Sequence, residues 1–417
     1  MSTTSPRVRT SPDARPAPTG MAFERDVAVV GGCGHVGLPL GLAFADRGLS
    51  VTLYDTNQAA VDSVNAATLP FDEPGADAVL KSVRQSGRLM ASSDPADISK
   101  AEHVVVVIGT PVDEHLNPNP QIVVRAIAEF ADRLMPSQMI VLRSTIYPGV
   151  TALVERFLAG RGLANEVAFC PERIAQGRAM TELFELPQII SARTPGAMQR
   201  ARDLFSVLAP EMIELLPEEA ELAKLFTNTW RYIKFAAANQ MFMMANDFGL
   251  DFERIRSAIT THYPRAADMP GPGFAAGPCL FKDTMQLAAF NNNQFTLGHA
   301  SMMVNEGMPL YVVARLERRY DLATKTVGIL GMAFKGESDD IRSSLSYKLK
   351  RILAFKARGV LCADPYVTVD PDLSPQDEVV AHSDILIIGA PHQRYRDLET
   401  EKPTVDLFNI IRRGTLV

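Results

Sequence analysis

The chain has 417 residues, of which 47% are hydrophobic and 22% charged, the composition of a globular protein with room for two or three domains. A net charge of −6 argues against a broad basic surface for nucleic acid or an anionic membrane. The sequence contains no run of about 18 apolar residues, so we predict no membrane span. The scattered cysteines form no CxxC pair, so we expect reduced thiols in a cytoplasm and no metal site; they are Cys33, Cys170, Cys279 and Cys362.

The first residues predict a disordered tail over 1–24, because they are rich in Pro, Ser, Thr and Arg and lack the apolar segment of a signal peptide. From Asp26, short apolar runs alternate with stretches long enough for helices, which is typical of a parallel sheet built from βαβ units. We predict an α/β domain over 25–212 with strands at Val27–Gly31, Ser50–Tyr54, His103–Ile108, Gln138–Leu142, Val167–Phe169 and Gln188–Ser191.

The middle of the chain has helical character. Between Pro217 and Phe248 there is neither Pro nor Gly, which predicts roughly thirty residues of helix, about 45 Å long. A second helical stretch runs from His299 to Arg319. We assign 213–320 to a central helical domain. A helix this long and apolar is usually shared between domains or subunits, so we expect a homodimer.

After Thr324 the alternating pattern returns and predicts a second α/β domain over 321–417. Its strands are expected at Val327–Gly331, Gly359–Ala363 and Asp384–Gly389. The predicted fold class is therefore α/β, with two parallel-sheet domains joined by a long central helix and a small helical domain.

A glycine loop with GxGxxG spacing follows the first predicted strand and opens a helix that ends near Asp46; it reads Gly32-Cys33-Gly34-His35-Val36-Gly37. In this pattern the glycines permit a tight turn, close approach of a pyrophosphate and close packing of helix on strand. Asp55 ends the next strand, where a carboxylate accepts ribose hydroxyls and repels a 2′-phosphate. NAD is favoured over NADP. A flavin nucleotide, or a glycine turn that binds nothing, stays an alternative.

Polar residues also end two later strands of this sheet. Thr110 and Pro111 follow one, and Ser144 and Thr145 follow another. Ligands of open parallel sheets bind outside the carboxyl ends of the strands, so these residues could line the nicotinamide half of a cofactor. A simple turn and a helix cap are the alternative.

Lys224 and Asn228 are four residues apart on the long helix and therefore project from one face. An amine and an amide on a largely apolar helix fit a role in binding substrate and stabilising an oxyanion. A solvated lysine on the outer face is the competing interpretation for Lys224 alone.

Cys279 follows a Gly- and Pro-rich loop and precedes Lys282 and Asp283. Asp283 is expected to begin a helix, and a thiol near a helix N-terminus and a lysine has its thiolate form stabilised. A nicotinamide site together with a nucleophilic thiol suits an enzyme that captures an aldehyde covalently before a second hydride leaves. Cys170 and Cys362 are expected to be small buried side chains.

With these motifs the chain resembles the UDP-glucose/GDP-mannose dehydrogenase family, the nucleotide-sugar 6-dehydrogenases. The resemblance covers nearly the whole chain after the tail. The motifs occur in the family's order: GCGHVGLPL at Gly32, GTPVDE at Gly109, RSTIYPG at Arg143, CPER at Cys170, AELAKLFTNTWRYIKFAAAN at Ala220, PGPGFAAGPCLFKD at Pro270, LGMAFKGESDDIRSS at Leu330 and ADPYV at Ala363.

The resemblance implies two Rossmann-like domains, with NAD at the first and a nucleotide sugar at the second. It implies a catalytic set in which Cys279 is the nucleophile, assisted by Lys224, Asn228, Asp283, Glu172 and Thr145. Cofactor contacts are implied for Gly32, Gly34, His35, Val36, Gly37, Asp55, Thr110, Pro111, Thr145, Lys282 and Arg342. Substrate contacts are implied for Glu172, Arg173, Lys224, Asn228, Phe274, Gly277, Lys335 and, from a partner subunit, Arg265.

The implied reaction is a four-electron oxidation of a sugar C6 hydroxyl to a carboxylate through a Cys279 thioester. UDP-glucose is the expected substrate; a UDP-N-acetylhexosamine or another nucleotide hexose is the alternative. The sequence departs from the family's common wording in the Phe274-Ala275-Ala276-Gly277 run, in Phe281 in place of a proline, in Gln240 in place of a glutamate, and in the lack of FLREG after CPER.

Rival functions remain open at this point. A sugar epimerase of the extended type needs a Tyr-xxx-Lys pair, and none of the nine tyrosines has Lys four residues on. A hydroxyacid dehydrogenase could use the lysine and asparagine of the helix without needing Cys279. A non-catalytic nucleotide-sugar-binding protein would not need the joint presence of thiol, lysine, amide and carboxylate.

Overall fold

A computed structural model describes residues 23–415 and 417, so the predicted tail lies outside the described residues except for its last two positions. The N-terminal half forms an eight-stranded sheet in the order β3-β2-β1-β4-β5-β6-β7-β8. Its strands are β1 Arg25–Val30, β2 Val51–Tyr54, β3 Leu89–Ser92, β4 Ala101–Val106, β5 Met139–Leu142, β6 Val167–Phe169, β7 Gln188–Ala192 and β8 Met212–Leu215.

Helices cover both faces of this sheet because alternate residues of each strand point to opposite sides. Val27 and Val29 of β1 belong to one apolar cluster, whereas Ala28 and Val30 belong to the other. The covering helices are α1 Gly37–Asp46, α2 Gln58–Asn65, α3 Ala76–Gln85, α4 Gln121–Ala128, α5 Val150–Gly160, α6 Ala179–Glu185 and α7 Pro195–Ser206.

The structure confirms the predicted strands of this sheet and adds two features. Strands β3 and β8 were not predicted, and β8 extends the sheet past residue 212, where we placed the domain boundary. The sheet is parallel as predicted except at one pair, since β6 and β7 run antiparallel.

Helix α8 spans Pro217–Asp247, 31 residues, and confirms the predicted long central helix. Glu221 fixes it to the first domain: its buried carboxylate accepts hydrogen bonds from Gly149 N at 2.6 Å and from Thr151 N at 2.8 Å. Three more helices complete the central region, α9 Phe252–Thr260, α10 Leu280–Phe290 and α11 Thr296–Glu317. Within the described residues, no helix is long and apolar enough to cross a membrane.

The C-terminal part forms a four-stranded parallel sheet in the order β10-β9-β11-β12. Its elements are β9 Thr326–Leu330, α12 Leu345–Lys356, β10 Gly359–Ala363, α13 Gln376–His382, β11 Ile385–Ile388 and β12 Thr404–Val405. The α/β fold with two parallel-dominated sheets joined by the helical region is confirmed. Among its strands, only β12 was not predicted.

Candidate active site

Cys279 lies at the residue before α10, where three parts of the chain meet. Helix α10 begins at Leu280, so the predicted start at Asp283 is too late. The thiol is free, and its residue is exposed, in contrast to Cys33, Cys170 and Cys362, which are buried as expected for the last two. Position and access therefore make Cys279 the one cysteine suited to covalent chemistry.

Lys224 and Asn228 both turn inward from α8, so the interpretation of Lys224 as a solvated residue is wrong. Lys224 is only 8% exposed, and burial lowers the pKa of its ammonium, opposed by Asp283, the Cys279 thiol and Glu172. Its Nζ has no hydrogen-bond or ion-pair partner among the described residues. The ammonium is therefore available to a ligand that enters beside Cys279.

Asp283 joins α10 to α8 at the same place. Its fully buried carboxylate accepts a hydrogen bond from Asn228 Nδ2 at 2.5 Å. The other oxygen, Oδ1, lies 2.6 Å from Lys282 Nζ. The amide of Asn228 therefore fixes Oδ2, while Oδ1 lies at ion-pair distance from Lys282 but accepts no hydrogen bond among the described residues.

The electrostatics of Cys279 differ from the expectation. Desolvation in the protein-dense cleft raises the pKa of its thiol, and Asp283 adds to the rise, while Lys224, Lys282 and Arg342 oppose it. The lysines thus act on the thiolate in the predicted direction, but desolvation and Asp283 outweigh them in the protein alone.

The glycine loop is built as a cofactor cradle. A Cβ on Gly37 would lie 2.3 Å from Gly31 O, and one on Gly32 would lie 2.7 Å from Val29 O. Around Gly34, by contrast, only Gly31 O comes within 4 Å, at 3.7 Å. The backbone is tight on the sheet side and open on the outside, which fits a pyrophosphate.

Asp55 stands beside this loop at the end of β2. Its Oδ2 accepts a hydrogen bond from Cys33 N and its Oδ1 one from Asn57 N, both at 3.0 Å. These bonds fix the carboxylate at the edge of the cradle. It remains partly exposed and can still accept ribose hydroxyls.

Three other predicted cofactor residues are His35 and Val36 of the glycine loop and Arg342 of the C-terminal domain. The ring of His35 stacks on Phe71 with centroids 4.1 Å apart, while Val36 precedes α1 directly. Arg342, from the loop after β9, lies near enough to His35 and Cys279 to affect the pKa of both groups. Its guanidinium is held by Asp340, with Nη2 2.6 Å from Oδ2. Arg342 thus lies between the glycine loop and the thiol.

Thr110 connects the cofactor domain to the helix that carries the thiol. Lys282 Nζ lies 3.4 Å from Thr110 Oγ1, and Gln286 Nε2 donates to Thr110 O at 3.2 Å. Thr110 Oγ1 in turn donates to Thr145 O at 2.6 Å. Pro111 is exposed beside them. Gln286, one turn after Lys282, was not predicted, because only its spacing on α10 could have indicated it.

Glu172 is held by residues of its own domain. Its Oε1 accepts from Arg173 N at 2.7 Å and from Ile174 N at 3.0 Å, and its Oε2 pairs with the buried guanidinium of Arg143. Arg173 points away from the cluster and donates to Pro187 O. Arg143, the first residue of RSTIYPG, is therefore a positioning residue that we did not predict.

The loop before Cys279 is anchored by a buried amide. Asn239 donates to Gly273 O at 3.0 Å and accepts from Gly273 N at 2.9 Å. The next residue, Phe274, packs edge-on against Phe408 of the C-terminal domain. A Cβ on Gly277 would lie 2.5 Å from the ring of Phe334, so this glycine allows the loop to pass under the C-terminal domain.

Two predicted substrate residues differ in location. Lys335 is partly buried and donates to Gln176 O in the N-terminal domain. Arg265 is exposed and contacts Tyr263, with Nη1 3.3 Å from the hydroxyl. Gln240, one of the departures from the family pattern, is exposed on α8. The structure therefore brings Lys335, but not Arg265, to the region between the outer domains.

Fold and residues define a two-sheet dehydrogenase architecture with a thiol between the sheets, and comparison with known families agrees. The models of the UDP-glucose/GDP-mannose dehydrogenase family match three parts of the chain: the NAD binding domain at residues 25–209, the central domain at 218–306 and the UDP binding domain at 328–413. The chain belongs to this family of nucleotide-sugar dehydrogenases, and its cofactor is NAD.

Individual relatives are distant but span the whole length. The chain is 28% identical over 405 residues to UDP-N-acetyl-D-mannosamine dehydrogenase of Pyrococcus horikoshii, covering 93% of this chain and 96% of the relative. It is 28% identical over 402 residues to NDP-N-acetyl-D-galactosaminuronic acid dehydrogenase of Ralstonia solanacearum, covering 91% and 93%. The solved UDP-glucose dehydrogenase of Pyrobaculum islandicum superposes with a TM-score of 0.86 at 26% identity, covering 94% and 96%.

Proposed function

We propose that the protein oxidises the C6 hydroxyl of a UDP-N-acetylhexosamine to a carboxylate with NAD, N-acetylmannosamine being the first sugar to test. The observation that supports this proposal is the grouping of the exposed Cys279 thiol with the ammonium of Lys224 and the buried carboxylate of Asp283, which are close enough to affect one another's charge. A thiol beside an amine that is available to a ligand suits covalent capture of an aldehyde.

Each side chain of the cluster has a task in this reaction. Two molecules of NAD, bound one after the other, would each take up one hydride from the sugar carbon. Glu172, held by Arg143, takes the hydroxyl proton, and Cys279 Sγ adds to the aldehyde to give a thiohemiacetal, which is oxidised to a thioester. Lys224 stabilises the oxyanion. Asp283, fixed by Asn228, orients the water that hydrolyses the thioester and frees the thiol.

The substrate assignment rests on the relatives. Both curated sequences described above carry names of N-acetylated sugars, which favours our alternative over our first expectation of UDP-glucose. UDP-glucose stays the second candidate, because solved structures named as a UDP-N-acetylmannosamine dehydrogenase and as a UDP-glucose dehydrogenase superpose with the same TM-score of 0.86. A direct assay with both sugars distinguishes the two candidates.

A substrate panel followed by NADH absorbance tests the proposal. We expect two NADH per molecule of UDP-N-acetylmannosamine, with slower turnover of UDP-glucose. Cys279→Ala should abolish formation of the carboxylate, whereas Cys362→Ala, which removes a buried thiol of the C-terminal core, should keep the two-to-one ratio. One NADH per sugar in the wild type, or full turnover in Cys279→Ser, would contradict the thioester mechanism.

We also propose that the protein is a homodimer that joins through the central helices. Phe226 and Trp230 of α8 are 53% and 59% exposed, and with Phe290 they border an apolar groove of about 420 Å³. Exposed apolar surface also continues along α8 to Met244 and Phe248. A second copy of the same stripe would cover it, and the exposed Arg265 would reach a substrate only from such a partner.

Light scattering on the purified protein tests the dimer. We expect a mass of twice 45.5 kDa, and we expect Trp230→Glu to give monomers. Because the chain has a single tryptophan, the emission of Trp230 should shift to the red on dilution if the groove opens. A monomeric wild type would contradict the proposal.

A further inference from the structure

Glu73, in the segment between α2 and α3, belongs to none of the motifs, yet its carboxylate is only 2% exposed. Its Oε2 accepts from Gly177 N at 3.0 Å and its Oε1 from Ala179 N at 2.9 Å. Both donors belong to residues 176–179, which we call the 176–179 loop and which follows Glu172 in the N-terminal domain. The carboxylate therefore fixes this loop from beneath.

The opposite side of the 176–179 loop contacts the C-terminal domain. Lys335 Nζ donates to Gln176 O, and a Cβ on Gly177 would lie 3.7 Å from the same Nζ. Burial lowers the pKa of Lys335, and Glu73 is the largest opposing charge. Carboxylate, loop and ammonium thus form one unit that crosses from the cofactor domain to the nucleotide domain.

The neighbourhood of Glu73 indicates that this unit borders the substrate cleft. Phe71, two residues earlier, stacks on His35 of the glycine loop. Asp72 affects the pKa of Tyr366, a residue of the C-terminal domain. A cap needed only for local structure could be a neutral side chain or water, whereas a buried carboxylate also places a negative charge next to Lys335.

We propose that Glu73 is a positioning residue for the nucleotide sugar: it fixes the 176–179 loop and through it the ammonium of Lys335, which then meets the diphosphate in one orientation. The inference rests on the proposed function, because the role of Lys335 in binding the nucleotide is itself part of that proposal. It adds a residue remote from the thiol that controls substrate affinity without touching the reacting atoms.

Glu73→Gln tests the idea, since it keeps the shape but replaces one acceptor oxygen by a donor facing a backbone N–H. We expect faster hydrogen exchange at the amides of Gly177 and Ala179. We also expect about tenfold weaker binding of UDP by calorimetry, the loss typical of one charge-assisted hydrogen bond. Affinity for NADH, followed by its fluorescence, should stay within about twofold of wild type.

Two further variants distinguish a role of Glu73 in positioning Lys335 from a general loss of local structure. Glu185→Gln is the matched control, because Glu185 is an exposed glutamate at the end of α6 and should change neither exchange nor UDP affinity. In a Lys335→Met background, Glu73→Gln should weaken UDP binding by less than about twofold, because the two residues act as a unit.

The outcomes distinguish this inference from the proposed function. A wild-type protein that does not bind UDP would overturn both. A wild type that binds UDP, together with a Glu73→Gln variant of unchanged UDP affinity, would overturn the positioning role alone. Equal losses from Glu73→Gln in the wild-type and Lys335→Met backgrounds would also overturn it, because Glu73 would then act independently of Lys335.

Discussion

The two sheets begin alike, and each has an aspartate at the equivalent position, but the two aspartates have different surroundings. In each, the first strand is followed directly by a glycine with positive φ, Gly31 at 75° and Gly331 at 99°. In each, the strand that pairs with it on one side is followed by an aspartate, Asp55 after β2 and Asp364 after β10. The aspartates therefore occupy equivalent places at the carboxyl ends of two related sheets.

The two aspartates differ in the number of hydrogen-bond donors from which they accept. Asp55 accepts two backbone N–H groups and stays partly exposed. The side chain of Asp364 is fully buried. It lies 3.1 Å from His392 Nε2 and accepts four backbone N–H groups, those of Met332, Ala333, Tyr366 and Val367. One carboxylate keeps capacity for a ligand, while the other is consumed by its own loops, so equivalent position does not imply equivalent function.

The largest difference between the two aspartates is expected when each is replaced by alanine and the free energy of unfolding is measured. Asp364→Ala leaves buried N–H groups without an acceptor, and we expect a loss of about 3–5 kcal/mol in the free energy of unfolding. Asp55→Ala should cost about 1 kcal/mol or less, because its donors can turn to water. Urea unfolding followed by circular dichroism measures both. Equal losses of unfolding free energy in the two variants would contradict the proposed difference between the two aspartates.

A smaller effect is expected on cofactor affinity. Asp55→Asn keeps an acceptor for the loop but removes the charge that ribose hydroxyls prefer, so NADH should bind about tenfold more weakly. Stability should hardly change. Asp77→Asn, at an exposed ion pair with Lys81, is the matched control and should leave NADH fluorescence titrations unaffected. Unchanged affinity in Asp55→Asn would show that Asp55, like Asp364, serves only its loop.

Burial also separates the strands that the sequence predicted from those that it did not. All but one of the predicted strands lie in sheet interiors, the exception being β10 at one edge of the C-terminal sheet. The strands that were missed, β3, β8 and β12, all lie at sheet edges. Edge strands are short and less apolar; residues of β8 such as Ile213 are exposed. Local patterns cannot separate such segments from loops. The antiparallel entry of β7 likewise depends on packing that no local pattern encodes.

The site divides in a similar way. Motifs and spacing indicated Cys279, Lys224, Asn228 and Asp283, which the fold brings together. They did not indicate Glu73, because its partners Gly177 and Ala179 are about a hundred positions away along the chain. Nor could spacing predict the direction in which the pKa of the Cys279 thiol moves, since a neighbouring lysine lowers it while desolvation by the surrounding protein and the charge of Asp283 raise it.

The smallest effect is expected in the pH dependence of stability at acidic pH. It tests whether the charge of the Asp364 side chain contributes to stability in addition to its shape. Desolvation alone would raise the pKa of this carboxyl, but the hydrogen bonds from His392 and the backbone outweigh it, so the folded pKa is lowered. A lowered pKa contributes stability above the unfolded value, about 3.9, and this contribution is lost as pH falls through the folded value.

Asp364→Asn should therefore be destabilised relative to wild type at pH 7, and the gap should narrow as pH falls below about 4. Urea unfolding of the two proteins at a series of acidic pH values measures this gap. Asp55 provides the comparison: Asp55→Asn should show a small gap at pH 7. A gap for Asp364→Asn that is constant down to the lowest pH would mean that the pocket selects the shape of the side chain and not its charge. The difference between the two aspartates would then lie in the number of donors alone.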